Sequence, residues 1–81
     1  MTTLDISRRL GATPQERGSM GNGSCPDLFE LSDGRFAVIG TDMTADLDGK
    51  LPDDASRADY EKIVVITRDT LLRAKSDIAR L

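Results

Sequence analysis

Between Cys25 and Thr44 the chain reads CPDLFELSDGRFAVIGTDMT, and its apolar positions fall on either side of one polar pair, Asp33-Gly34. An Asp-Gly pair between two apolar runs signals a two-residue hairpin turn of type I′, in which both central residues take positive φ. That turn sets Leu31 opposite Phe36, Phe29 opposite Val38 and Leu28 opposite Ile39. Side chains alternate across a strand, so Phe29, Leu31, Phe36 and Val38 are expected on one face. The other face is polar near the turn, at Glu30, Ser32 and Arg35, and apolar at Leu28 and Ile39. A slip of one residue would turn the apolar set to water.

Three further patterns complete the element list. In TLDISRRL, Leu4, Ile6 and Leu10 share one parity, which predicts a half-buried strand over 3–9. The rival is a short helix capped by Asp5 and stopped by Gly11. EKIVVIT, residues 61–67, is apolar on both faces and predicts a central, covered strand beside the hairpin. TRDTLLRAKSDIARL predicts an amphipathic helix over 68–80, capped by Thr67. Leu71, Ala74, Ile78 and Leu81 recur on one of its faces, with Leu72 beside them, and Asp69 and Arg73 form an i,i+4 pair on the other side. The expected fold is therefore α+β: a small antiparallel sheet of three to four strands, the 27–41 hairpin central, with the helix across its Phe29/Leu31/Phe36/Val38 face.

The connections carry turn chemistry. Residues 11–24 hold Gly11, Pro14, Gly18, Gly21 and Gly23 with no apolar period, and read as a flexible Gly-rich loop. Thr44 is placed to cap a short helical turn over Ala45–Asp48 that ends at Gly49. PDDASRADY is a polar connection. At 81 residues the chain is a single small domain, 1–81, which buries only about 60% of the surface its unfolded form exposes.

Composition narrows the chemistry. Histidine is absent, which removes the commonest general base at neutral pH together with Ser-His, Cys-His and histidine–zinc sites. The single cysteine, Cys25, makes no intramolecular disulfide, thiolate zinc site or Cys-x-x-Cys couple. It opens the first hairpin strand, and neighbouring Asp27 would raise its pKa, so it is expected to be structural. GNGS lacks the following helix and the lysine of a phosphate loop. With Gly49 as the turn glycine of a calcium loop, Thr44, Asp46 and Asp48 take the first three ligand positions, but the twelfth, where a bidentate Glu is required, falls on Ala55. Asp42, Asp46 and Asp48 remain weak candidates for metal or acid–base work. No cofactor is expected.

The net charge of −3 conceals an acidic middle. Acids concentrate from Asp27 to Asp59, offset there only by Arg35, Lys50 and Arg57. That balance disfavours direct nucleic-acid binding, which depends on phosphate neutralisation. No run approaches the ~20 apolar residues of a membrane span, and a lone cysteine fits a reducing compartment. A cytoplasmic protein with no membrane partner is expected.

In their order along the chain, RRLG, CPDLFEL, GRFAVIGTDMT, the Leu51-Pro52 pair and IVVITRDTLLRAK resemble a family of small, functionally uncharacterised actinobacterial proteins. The resemblance spans most of residues 4–78, with the glycine-rich loop as its variable part. The family's Val-x-x-Pro before the last helix reads Val65-Ile66-Thr67-Arg68 here, where Thr67 supplies the helix start. The resemblance implies no catalytic residue. It implies an accessory protein, of a kind encoded near helix-turn-helix regulators. The expected function is a non-catalytic protein-interaction or accessory regulatory module, not an enzyme. Its partner would be another protein, such as a DNA-binding regulator, or a second copy in a homodimer. The interaction face would be Leu28, Ile39, Val64 and Ile66. The alternative is a small ligand- or metal-binding protein, or an enzyme, that uses the acidic loop 42–48.

Overall fold

The computed structural model describes residues 3–13, 16 and 26–81. Cys25 and most of the 11–24 loop lie outside the described residues. The fold is α+β. Strands β1 (Ile6–Arg9), β2 (Asp27–Leu31) and β3 (Phe36–Ile39) form an antiparallel sheet in that spatial order. Strands β4 (Thr41–Asp42) and β5 (Val64–Val65) form a second, two-stranded antiparallel sheet. Helix α1 (Thr44–Leu47) runs into a 3-10 turn at Asp48–Lys50, and helices α2 (Arg68–Arg73) and α3 (Lys75–Ala79) close the chain.

The hairpin forms where the Asp-Gly signal lies, but in a register one residue away. Glu30 pairs with Phe36, Phe29 with Ala37, Leu28 with Val38 and Asp27 with Ile39. The cause is the turn. Asp33 does not take positive φ; Gly34 alone does, at +90°. The Gly34 amide donates to the Leu31 carbonyl at 3.1 Å, and the Leu31 amide to the Arg35 carbonyl at 2.8 Å. This is a three-residue loop, a type I turn closed by a left-handed glycine, in place of the two-residue type I′ turn. Asp33 fixes it by accepting from the Arg35 amide at 3.0 Å and from Arg35 Nε at 2.7 Å.

The changed register redistributes the faces. Leu28, Phe36 and Val38 now share the face toward the C-terminal helices, whereas Phe29, Leu31 and Ile39 take the opposite one. Leu10, Leu28 and Ala74 form the buried core, with Ile66 packed against it. On the opposite face the Arg9 guanidinium lies 5.2 Å from the centre of the Phe29 ring. The same group forks onto buried Asp27, Nε to Oδ1 at 2.8 Å.

The strand expected over 61–67 is reduced to Val64–Val65, and it does not lie beside the hairpin in one sheet. The ladder between β2 and β3 ends at Asp27 and Ile39, and β5 takes up pairing only past Gly40, with Thr41 opposite Val65. Both valines stay partly exposed, so this is not a covered central strand. The strand expected over 3–9 appears as β1, with an irregularity between Ile6 and Arg8.

Thr67 caps α2 as expected, accepting from the Thr70 amide at 3.1 Å, and Asp69 pairs with Arg73 at 3.0 Å. Thr70 is fully buried, its hydroxyl 2.8 Å from that of Thr67. The single helix expected over 68–80 breaks at Ala74, where β1's exit at Gly11 comes against the helix backbone. At the start of the loop, Thr13 and Glu16 clasp each other's amides at 2.8 and 3.2 Å. This is a capping box within the stretch read as structureless.

Candidate interaction surface

Among the described residues three buried hydrophobic side chains make a small core, and much apolar surface is left outside it. Part of it lines a groove of about 280 Å³ between the sheet and the C-terminal helices. Buried Leu28 and Leu10 lie at its floor, Phe36 of β3 lines it from the sheet, and Leu71, Ile78 and Leu81 line it from the helices. The helical wall follows from the i, i+3, i+4 spacing of those residues on α2 and α3. The floor depends on the register, which turns Leu28 and Phe36 the same way. Among the described residues no charged side chain lines it.

The four residues expected to form an interaction face lie in three different places. Leu28 is buried in the core and Ile66 packs against it. Ile39 is half-exposed on the face away from the helices, and Val64 lies in the separate two-stranded sheet. Sequence reasoning missed Phe36 as part of an open surface and Leu10 as part of the buried floor beneath it. Both were legible as apolar; their grouping was not, because it needs the true register.

The acidic loop is built from local ties. Asp42 accepts from the Thr44 hydroxyl at 2.7 Å and the Thr44 amide at 3.0 Å. These bonds, the hydroxyl's first, hold its carboxyl below the usual aspartate range. Thr44 is the first residue of α1 rather than its cap, and its hydroxyl oxygen also accepts from the Ile63 amide at 2.9 Å. Asp48 receives a fork from Arg57, at 2.9 and 3.1 Å. Arg57 also donates to the carbonyls of Ala58 and Glu61, which ties the polar connection to the 3-10 turn. Asp42 and Asp48 are thus engaged with different partners, and among the described residues no three acidic, histidine or cysteine side chains come together to hold a metal.

Among the described residues no helix is long and apolar enough to cross a membrane. Compared with protein-family models, with curated proteins and with solved structures, the chain matches none.

Proposed function

We infer that the chain is a non-catalytic interaction module that seats another polypeptide on its apolar side. One observation carries this reading: among the described residues the groove is lined only by Leu10, Leu28, Phe36, Leu71, Ile78 and Leu81, and Phe36, Leu71 and Leu81 stay about half open to water, at 47, 52 and 56%. Apolar side chains gathered at a surface mark places where another molecule binds. Small-molecule sites add a few convergent polar groups that fix orientation. This lining supplies none, which favours apolar side chains of a polypeptide. A DNA-binding regulator suits the accessory role that the family resemblance suggests, and a cytoplasmic setting would keep Cys25 reduced. The acidic-loop alternative is weaker, because Asp42 and Asp48 are already committed to Thr44 and Arg57.

The test is binding reconstituted from purified components, after cross-linking in the native host has named the candidates. Leu71→Lys puts a charge on the groove wall at an exposed helical position. It should weaken a complex formed by the wild type by about tenfold or more, as expected for a charge at an apolar contact. Equal affinity of wild type and variant for every purified candidate would overturn the reading.

A further inference from the structure

We propose that the polypeptide partner is a second copy of the chain, joined at the edge of the sheet beside the groove by antiparallel pairing of β3 with its own counterpart across a two-fold axis at Ala37. The proposal deepens the interaction reading and rests on it.

The two edges of the three-stranded sheet differ. β1 carries Arg8 and Arg9 and an irregularity between Ile6 and Arg8. Charges and bulges keep an edge from pairing with another chain. β3 reads Phe-Ala-Val-Ile, with no charge, no proline and no irregularity, and among the described residues no strand lies beyond it. An uncharged apolar edge is a template for strand addition.

The backbone of β3 is oriented for this pairing. The Arg35 carbonyl accepts from Leu31, so Arg35 turns toward β2. Backbone groups alternate along an antiparallel ladder. Ala37 and Ile39 therefore also turn toward β2, and the N–H and C=O groups of Phe36 and Val38 turn to the open edge. With the axis at Ala37, Phe36 of each copy sits opposite Val38 of the other, and both pairs are hydrogen-bonded. The ladder then stays within β3, whereas an axis at Val38 would carry it into Gly40, past the end of the strand.

Three considerations favour a second copy over a foreign strand. The two-fold sets the exposed Phe36 and Val38, 47 and 45% open, beside Val38 and Phe36 of the other copy on the groove face, which completes one apolar strip. No charge opposes a like charge within the paired strands. The operation also closes: within the three-stranded sheet it consumes both β3 edges and leaves the guarded β1 edges, so growth of that sheet stops at two copies. Covering β3, whose four residues are at most about half exposed, removes roughly 300 Å² from each copy, about 600 Å² in all, well below the ~1,200 Å² of stable interfaces and in keeping with a weak, transient pairing. The dimer should therefore dissociate on dilution.

Sedimentation of the full chain from micromolar to millimolar concentration should show monomer passing to dimer, and Val38→Lys should hold it monomeric. Amide exchange of the wild type supplies a readout that does not depend on the variant's folding. Over the same range, protection at Phe36 and Val38 should rise by about tenfold or more, with Ala37 and Ile39 unchanged. A monomer throughout, or a dimer whose new protection falls on Ile6–Arg9, would overturn the proposal. So would protection of Phe36 and Val38 that appears only with a purified foreign partner. In the monomer and foreign-partner cases, loss of a purified complex on Leu71→Lys would leave the interaction reading standing without the dimer.

Discussion

The backbone amide of Gly11 donates a 2.7 Å hydrogen bond to Asp77 Oδ2, joining the end of β1 to α3 across 66 positions of chain. Gly11 has φ +85°, and a Cβ built on it would lie 3.0–3.1 Å from the backbone of Arg73 and Ala74. Ala74 is fully buried at this crossing. The sheet and the C-terminal helices are thus docked partly through main chain, which is how a core with so few large side chains holds two layers together.

Gly11→Ala meets both the left-handed φ and the close helix backbone. It should cost about 1–3 kcal/mol. Asp77→Ala removes only the acceptor and should cost about 1 kcal/mol, with Asp77→Asn milder because it keeps a carbonyl oxygen. Urea denaturation should place the wild type as the most stable, followed by Asp77→Asn, then Asp77→Ala, then Gly11→Ala. A Gly11→Ala protein with the wild-type midpoint would show that this docking is absent.

The turn makes a separate prediction. A Cβ on Gly34 meets no atom within 4 Å, so any cost there is backbone strain alone. Gly34→Val should lose about 1–2 kcal/mol, and Gly34→Asn, which tolerates left-handed φ, clearly less. Thermal melts of the pair decide it; equal melting temperatures would mean that Gly34 is not left-handed.

The Arg9–Asp27 fork sits half inside the molecule, with the Asp27 side chain 8% exposed and that of Arg9 34%. Asp27→Ala strips the guanidinium of a buried counter-charge and should cost about 2–3 kcal/mol, below the full value for a completely buried pair. Arg9→Lys keeps the charge but loses the fork and the guanidinium's place over the Phe29 ring, and should also destabilise. Denaturation of both variants checks this, and a neutral Arg9→Lys would contradict the fork.

Asp42 gives a pH dependence. Hydrogen bonds from the Thr44 hydroxyl and then its amide lower its pKa in the folded state. A group lowered on folding contributes stability above its unfolded pKa, near 3.9, and loses that contribution as pH falls through the folded value. An NMR titration should therefore place the Asp42 carboxyl midpoint below that of a free aspartate. Thr44→Val should move the midpoint upward and weaken the acid dependence of stability. An unmoved midpoint would contradict the hydroxyl's role.

Much of the fold was legible because short-range chemistry decided it. Asp33-Gly34 marked the hairpin, Thr67 the start of α2, and the spacing of Leu71, Ile78 and Leu81 the helical wall of the groove. The register was not legible. Asp-Gly suits both a two-residue and a three-residue loop, and the choice between them turns on one φ at Asp33. That single choice moved Leu28 from an open face to the core. The reduced strand at Val64–Val65 was hidden for a different reason: apolar residues on both faces describe covering on both faces only when something is there to cover them. The capping pair Thr13 and Glu16 was readable from its spacing, but the surrounding glycines outweighed it.

The central claim, that the chain is an interaction module whose open β3 edge pairs with a second copy, is tested most directly by isotope-filtered NOE spectroscopy on a mixture of labelled and unlabelled chains at millimolar concentration. Cross-peaks that can arise only between copies should join the Phe36 ring to the Val38 methyls, the two half-exposed side chains that the axis at Ala37 brings together. A mixed sample at dimer mass that shows no such cross-peaks, or shows them from Leu4 and Ile6 on the β1 edge instead, would contradict it.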